Sequence, residues 1–105
     1  YGGRAELVRA VRSMMDEGLR PGDVTEQSLA DHLYTAGQPD PDFLIRTSGE
    51  QRLSNYLLYQ CAYSEFYFTP TPWPDFGVEA LHEALAVYAG RSRRFGKTQE
   101  QINGR

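Results

Sequence analysis

The chain has 105 residues, 40% hydrophobic and 24% charged, which suits one small globular domain rather than a disordered or membrane-spanning chain. Its formal net charge of −3 argues against broad nucleic-acid binding. No apolar run approaches the ~18 residues a membrane span needs, because Gln60, Ser64 and Glu65 interrupt the longest candidates, Tyr56–Leu58 and Cys61–Phe68. A single cysteine, Cys61, excludes an internal disulfide, and with no signal-peptide pattern a cytoplasmic location is expected. A chain opening at Tyr1, without an initiator methionine, is expected to lack upstream sequence.

In chain order, Leu7, Val8, Val11, Met14 and Met15 recur at three- and four-residue spacing and predict an amphipathic helix over Arg4–Glu17, stopped by Gly18. Arg20-Pro21-Gly22-Asp23 reads as a turn. Thr25 resembles an N-cap with Ser28 where a capping-box glutamate would sit, an incomplete box, and a short helix should run to about Tyr34. After the Gly37–Pro41 loop, Asp42–Arg46 suits a strand buried on both faces. Thr47–Arg52 is a polar loop. Ser54 or Asn55 is then expected to cap a helix carrying Tyr56, Leu57, Leu58 and Cys61. Glu65–Thr69 reads as an aromatic strand and Pro70–Pro74 as extended chain. Asp75 should cap a last helix with Val78, Leu81, Leu85 and Tyr88 in one stripe, ending in the basic run Arg91–Arg94 and stopping at Gly96. Residues 97–105 are polar and expected to fray.

The strand–helix–strand order implies a parallel crossover. Two parallel strands cannot bury both faces of a sheet, so strands this apolar require others from elsewhere. The expected fold class is α/β, with a mostly parallel sheet flanked by helices; either this chain is half of a larger α/β domain, or it assembles with partners.

The segment that carries chemistry is Phe43–Asn55. It leaves the C-terminal end of a buried strand, where open α/β sheets bind ligands, and enters an expected helix N-terminus, whose free amides favour anions. Arg46 and Arg52 flank the loop, and each can grip phosphate oxygens in a two-pronged fork. Gly49 lets the backbone approach a ligand, and Ser54 adds a hydroxyl. Such a set recognises a phosphate or diphosphate. A solvated turn with an Arg–Glu pair across it explains the same composition about equally well. It is not a Walker-type loop, since the glycine spacing and lysine are absent.

The run Leu44-Ile45-Arg46-Thr47-Ser48-Gly49-Glu50-Gln51-Arg52-Leu53-Ser54-Asn55-Tyr56-Leu57-Leu58 resembles the signature of the cis-prenyltransferases, of the undecaprenyl diphosphate synthase type. Ala62–Phe68, followed by Trp73-Pro74-Asp75-Phe76, resembles further elements of that family. Tyr1-Gly2-Gly3-Arg4 is similar to its Asn-Tyr-Gly-Gly-Arg element cut after the asparagine, and Arg93-Arg94-Phe95-Gly96 to its C-terminal close. These elements occur in family order over nearly the whole chain. The resemblance implies that residues 1–96 are the C-terminal half of a single catalytic domain.

The resemblance also implies an activity, the condensation of isopentenyl diphosphate with an allylic diphosphate such as farnesyl diphosphate to give a polyprenyl diphosphate lipid-carrier precursor. By the family pattern, Arg46, Arg52 and Ser54 hold the diphosphate of isopentenyl diphosphate, and Glu50 is linked to the same site as a catalytic residue. Glu65 matches a carboxylate associated with a Mg²⁺–diphosphate assembly, although a strand-end glutamate pairing a nearby arginine would look the same. Arg94 and Gly96 match a close that reaches across a homodimer interface to the partner's substrate site, and a basic helix end complementing its own dipole is compatible with that. The aromatic strand and nearby helices are the candidate interface. Peripheral membrane contact for product release and no nucleic-acid partner are further implications. The family's metal-binding aspartate and allylic-phosphate loop have no counterpart here, so this polypeptide alone is not expected to catalyse the reaction.

Other readings have less support. A non-catalytic partner subunit would tend to lose the phosphate loop, which this chain keeps. A nucleic-acid binder would rest only on Arg91, Arg93, Arg94 and Lys97. His32 and His82 read as surface or boundary residues, Cys61 as core, and Tyr56, Tyr59, Tyr63, Phe66, Tyr67 and Phe68 as core and interface mass.

Overall fold

The first helix forms where its spacing predicts, but turns a different row of residues inward. In the computed structural model, which describes residues 1–91, α1 spans Gly3–Asp16, and its buried positions are Gly3, Glu6, Ala10 and Met14. Val8, Val11 and Met15 of the expected stripe are instead about half exposed or more. The buried row keeps helical spacing, but a glycine, an alanine and a glutamate in it escape any hydropathy pattern. At the other end Gly18, at φ 81°, closes the helix. The Gly18 and Leu19 amides donate to the Met15 and Met14 carbonyls at 3.0 and 3.1 Å, the double bond of a left-handed helix stop that favours glycine.

After a 3₁₀ turn at Pro21–Asp23, α2 spans Glu26–Asp31, shorter than expected. Its capping box is complete. The Ser28 amide donates to Thr25 Oγ1 at 3.0 Å and the Thr25 amide to Ser28 Oγ at 2.7 Å, so a serine hydroxyl does what glutamate usually does. Arg9 ties this region to α1 by donating to the His32 carbonyl at 2.8 Å and lying 4.2 Å over the Tyr34 ring. His32 is a boundary residue as expected, its ring nitrogens 2.6 Å from the Ser28 carbonyl and 2.9 Å from Glu17. These contacts, the backbone one first, raise its pKa.

The helix expected from Ser54 is absent, and residues 54–63 are a series of turns. Ser54, Asn55 and Leu57 have φ of 53°, 63° and 42°, in the left-handed region that no right-handed helix can contain. In a helix the Asn55 carbonyl would accept from Tyr59. Here it accepts from the Gly3 amide at 2.7 Å, while Asn55 Oδ1 accepts from the Arg4 amide at 2.8 Å. Asn55 therefore caps a helix, as its residue type suggests, but the helix is α1.

These parts form one of two compact units, Tyr1–Asp40 with Leu53–Gln60. Its core contains Ala10, Met14 and Leu33 together with two buried polar residues, Glu6 and Gln60, each 2% exposed. Gln60 Nε2 donates to both Glu6 carboxylate oxygens at 3.3 and 3.2 Å and to Thr35 Oγ1 at 3.1 Å. The Tyr34 amide donates to Glu6 Oε2 at 2.8 Å, and the Tyr1 hydroxyl also donates to this carboxylate. Burial alone would raise the Glu6 pKa, but the bonds from Tyr1, the Tyr34 amide and Gln60, helped by the Arg9 charge, outweigh it and lower the pKa. The Tyr1 hydroxyl, desolvated and facing that carboxylate, is pushed up to about 12.

The second unit comprises Pro41–Arg52 and Cys61 onward. Strands β1, Phe43–Arg46, and β2, Glu65–Phe68, pair in parallel with Phe43 opposite Glu65 and Arg46 opposite Phe68. All four β1 residues are half-buried, not covered on both faces as expected, because the described sheet has two strands. The chain after β2 is not extended throughout. Trp73–Asp75 forms a 3₁₀ turn, with the Trp73 and Phe76 rings stacked 6.2 Å apart.

The last helix, α3, spans Val78–Ala89 and packs on β2. Its N-cap is Gly77 rather than Asp75, which lies inside the preceding 3₁₀ turn. Of the expected stripe, Val78, Leu81 and Leu85 are exposed, whereas the Tyr88 ring lies tilted against Phe43 with centroids 4.7 Å apart and Ala84 is fully buried. Gly90 ends α3 before the basic run. Cys61 is buried as expected, in a turn rather than on a helix, while Tyr56, Tyr63 and Phe68 are substantially exposed. Among the described residues no helix is long and apolar enough to cross a membrane.

Candidate functional site

Parallel pairing brings the C-terminal ends of β1 and β2 to one edge of the second unit, and the 47–52 loop starts there. Backbone pairing continues past the strands and fixes the loop. The Thr69 amide donates to the Arg46 carbonyl at 3.0 Å, and the Ser48 and Gly49 amides donate to the Thr71 and Thr69 carbonyls at 3.0 and 2.9 Å. To make these bonds Ser48 and Gly49 adopt φ of 62° and 77°. A Cβ built on Gly49 would meet no protein atom within 4 Å, so within the chain itself it is the left-handed backbone that favours glycine here.

Two consequences follow for anion binding. The Ser48 and Gly49 amides are engaged with backbone and no helix begins after the loop, so neither these two amides nor a helix dipole supplies the expected anion site. Two arginines flank this loop. Arg46 Nη1 donates to the Arg52 carbonyl at 3.0 Å, so one guanidinium spans the loop and holds its far end. Arg52 projects outward, its side chain 72% exposed, and its Nε and Nη2 lie 3.0 and 2.6 Å from Glu50 Oε2. The Arg–Glu pair of the simpler sequence reading thus exists. Its strength is small at such exposure, and its geometry restrains Arg52 while leaving the guanidinium accessible.

Ser54 belongs to the other unit, where it is exposed and left-handed rather than a helix cap. Glu65 opens β2, its carboxylate 3.8 Å from Arg91 Nη1, and Arg91 also donates to the Phe66 carbonyl. The strand-end glutamate paired with an arginine, the alternative to a metal role, is therefore present. Among the described residues no three His, Cys, Asp or Glu side chains group as a metal site. A single carboxylate fits a Mg²⁺ shared with substrate phosphates, an ion that commonly takes one or two protein carboxylates with phosphate and water oxygens. Arg94 and Gly96 lie outside the described residues.

Sequence reasoning missed Asn55 as a long-range cap, Glu6 with Gln60 as a buried pair, and Arg91 as the partner of Glu65. Only the first left a signal. The adjacent glycines Gly2 and Gly3 mark a close approach, and Cβ atoms built there would lie 2.9 Å from Asn55 Nδ2 and Leu58 Cγ respectively.

Comparison with known proteins shows the family of the chain. The family model described as "Putative undecaprenyl diphosphate synthase" matches residues 1–96. The isoprenyl transferase of Geobacter sulfurreducens is 51% identical over the whole chain and 44% of its own length. That of Listeria monocytogenes serotype 4b is 55% identical over 91% of this chain and 40% of its own length. Among solved structures, lavandulyl diphosphate synthase from Lavandula x intermedia, in complex with dimethylallyl diphosphate, matches with a TM-score of 0.84 and 48% identity. A probable undecaprenyl diphosphate synthase from Campylobacter jejuni matches with a TM-score of 0.77 and 33% identity. Each match covers 92% of this chain and 44% of the other. Two parallel strands with flanking helices are therefore part of an α/β prenyltransferase fold. The chain belongs to the cis-prenyltransferase family, that of the isoprenyl transferases and undecaprenyl diphosphate synthases. It spans less than half the length of the curated relatives it matches.

Proposed function

We propose that the full-length protein condenses isopentenyl diphosphate with an allylic diphosphate such as farnesyl diphosphate, forming a cis double bond and a polyprenyl diphosphate lipid-carrier precursor. The observation that carries this reading is the Arg46–Arg52 loop, held by backbone bonds at the C-terminal edge of a parallel sheet in a member of this family. Arg46 and Arg52 offer fixed forks to the diphosphate of isopentenyl diphosphate, Ser54 adds a hydroxyl donor, and Glu50 sets the Arg52 guanidinium. The solved relative with dimethylallyl diphosphate supports the class of the second substrate.

In the reaction the allylic C–O bond breaks and its electron pair leaves on the diphosphate. The alkene of isopentenyl diphosphate forms the new C–C bond through its terminal carbon with the developing allylic cation, and a proton is then lost from the CH2 next to the methyl-bearing carbon, which forms the new double bond. The arginines contribute by holding the nucleophile in line, an orientation effect that can be large. Mg²⁺, with Glu65 as one oxygen ligand, would supply neutralisation of the departing diphosphate. We place this chain as the C-terminal half of one catalytic domain, in a cytoplasmic homodimer whose Arg94 and Gly96 serve the partner's site and whose product leaves through peripheral membrane contact.

Steady-state kinetics of the full-length enzyme test the reading. Arg46→Ala and Arg52→Ala each remove a charge-assisted contact of roughly 1.5–3 kcal/mol, so KM for isopentenyl diphosphate rises about ten- to a hundredfold. KM for the allylic substrate should barely move, and equal effects on both substrates would refute the assignment.

A further inference from the structure

We propose that Asn55 is a positioning residue for the substrate diphosphate: by capping α1 from 51 residues away, it locks the left-handed turn that presents Ser54. The proposal rests on the reading of Ser54 as a diphosphate donor given above.

α1 has no cap of its own, since its N-cap is Gly2 and makes no side-chain bond. The first amides of a helix need outside acceptors, and Asn55 supplies two. Its carbonyl takes the Gly3 amide at 2.7 Å and its Oδ1 the Arg4 amide at 2.8 Å. Two anchors on successive amides fix both the backbone and the side chain of Asn55. The Ser54–Asn55 peptide then cannot rotate freely. Ser54 itself sits at φ 53°, a conformation that a serine rarely adopts unless its surroundings hold it.

The fit is close on the helix side. A Cβ on Gly3 would lie 3.0 Å from the Asn55 carbonyl oxygen and 2.9 Å from Leu58 Cγ. Gln60, at the end of the same segment, is held by Glu6 one turn along α1. The segment is thus pinned at both ends to one buried row of α1, and Ser54 stands beside the first pin.

The test uses the full-length enzyme, with KM for isopentenyl diphosphate, KM for the allylic diphosphate, kcat and Tm measured for each variant. Asn55→Gly keeps the left-handed backbone and removes the Oδ1 cap, whereas Gly3→Ala pushes on the same turn from the helix side. Each should raise KM for isopentenyl diphosphate about three- to tenfold and leave the allylic KM within about twofold. Ser54→Ala should raise it about tenfold. Combined with Ser54→Ala, neither variant should add a further increase, because both act through the serine. Met14→Ala, a buried change elsewhere on α1, should lower Tm without shifting either KM.

Additive KM effects, equal shifts for both substrates, or a KM change in Met14→Ala that tracks Tm would overturn the proposal. So would failure of both Asn55→Gly and Gly3→Ala to fold, since the contact would then be holding the domain rather than the serine. An unchanged KM in Ser54→Ala refutes the ligand reading of Ser54 itself and takes this proposal with it. A raised KM there with normal values in Asn55→Gly and Gly3→Ala refutes the positioning role alone.

Discussion

The Thr47–Arg52 loop and the Leu53–Gln60 segment adjoin in the chain and both contain left-handed non-glycine residues, yet they are held by different means. The loop is fixed by its own backbone, with the Ser48 and Gly49 amides prolonging the parallel pairing to Thr69 and Thr71. The segment is fixed largely through side chains, with Asn55 Oδ1 on the Arg4 amide and Gln60 on the buried Glu6 carboxylate, beside one backbone bond from the Gly3 amide to the Asn55 carbonyl. A loop held mainly by backbone tolerates changes in most of its side chains, the Arg46 guanidinium on the Arg52 carbonyl being the exception. A segment held by side chains does not, and its sequence is committed to its anchors.

The largest effect on stability should come from the segment's buried anchor. Glu6→Ala strips the acceptor from the Tyr34 amide and from Gln60 inside the core, and should destabilise the full-length protein by about 3 kcal/mol in denaturant titration. Glu6 also carries a pH signature. Its folded pKa is lowered, so its contribution is present above the unfolded glutamate value and is lost as pH falls through the lowered folded value. Glu6→Gln should flatten that acid limb of the stability–pH profile, and an unchanged limb would show that the carboxylate is not the anchor described.

The smallest effect on stability should come from the loop. Glu50→Gln breaks an exposed ion pair, worth less than about 1 kcal/mol. Stability should hardly move while turnover falls, since Arg52 loses its guide. A loss of stability comparable to that of Glu6→Ala would erase the contrast between the two stretches.

Both strands, the first helix and the last were legible because hydrophobic periodicity and β-branched or aromatic residues report them directly. The helix expected over residues 54–63 was not. Its residues carry ordinary helical signals, but the Asn55 carbonyl is taken by Gly3, a partner that no local window contains. The stripe of α1 misled for a related reason, since Glu6 is buried by satisfying polar partners rather than by being apolar. Of the candidate site, the arginines and their flanking loop were readable from residue type and position after a strand. The expectation of a helix-dipole cradle was not met, because residues 54–63 form turns, and the backbone donors of Ser48 and Gly49 are taken by the parallel pairing.

Direct binding is the sharpest test of the claim that guanidinium groups, not backbone amides, hold the substrate diphosphate. Calorimetric titration of the full-length Arg46→Ala/Arg52→Ala protein with isopentenyl diphosphate should show affinity reduced by about a hundredfold or more. Affinity for the allylic diphosphate should stay within about twofold of the parent protein. Near-normal isopentenyl diphosphate binding in this double variant would contradict the account and return the role to other groups.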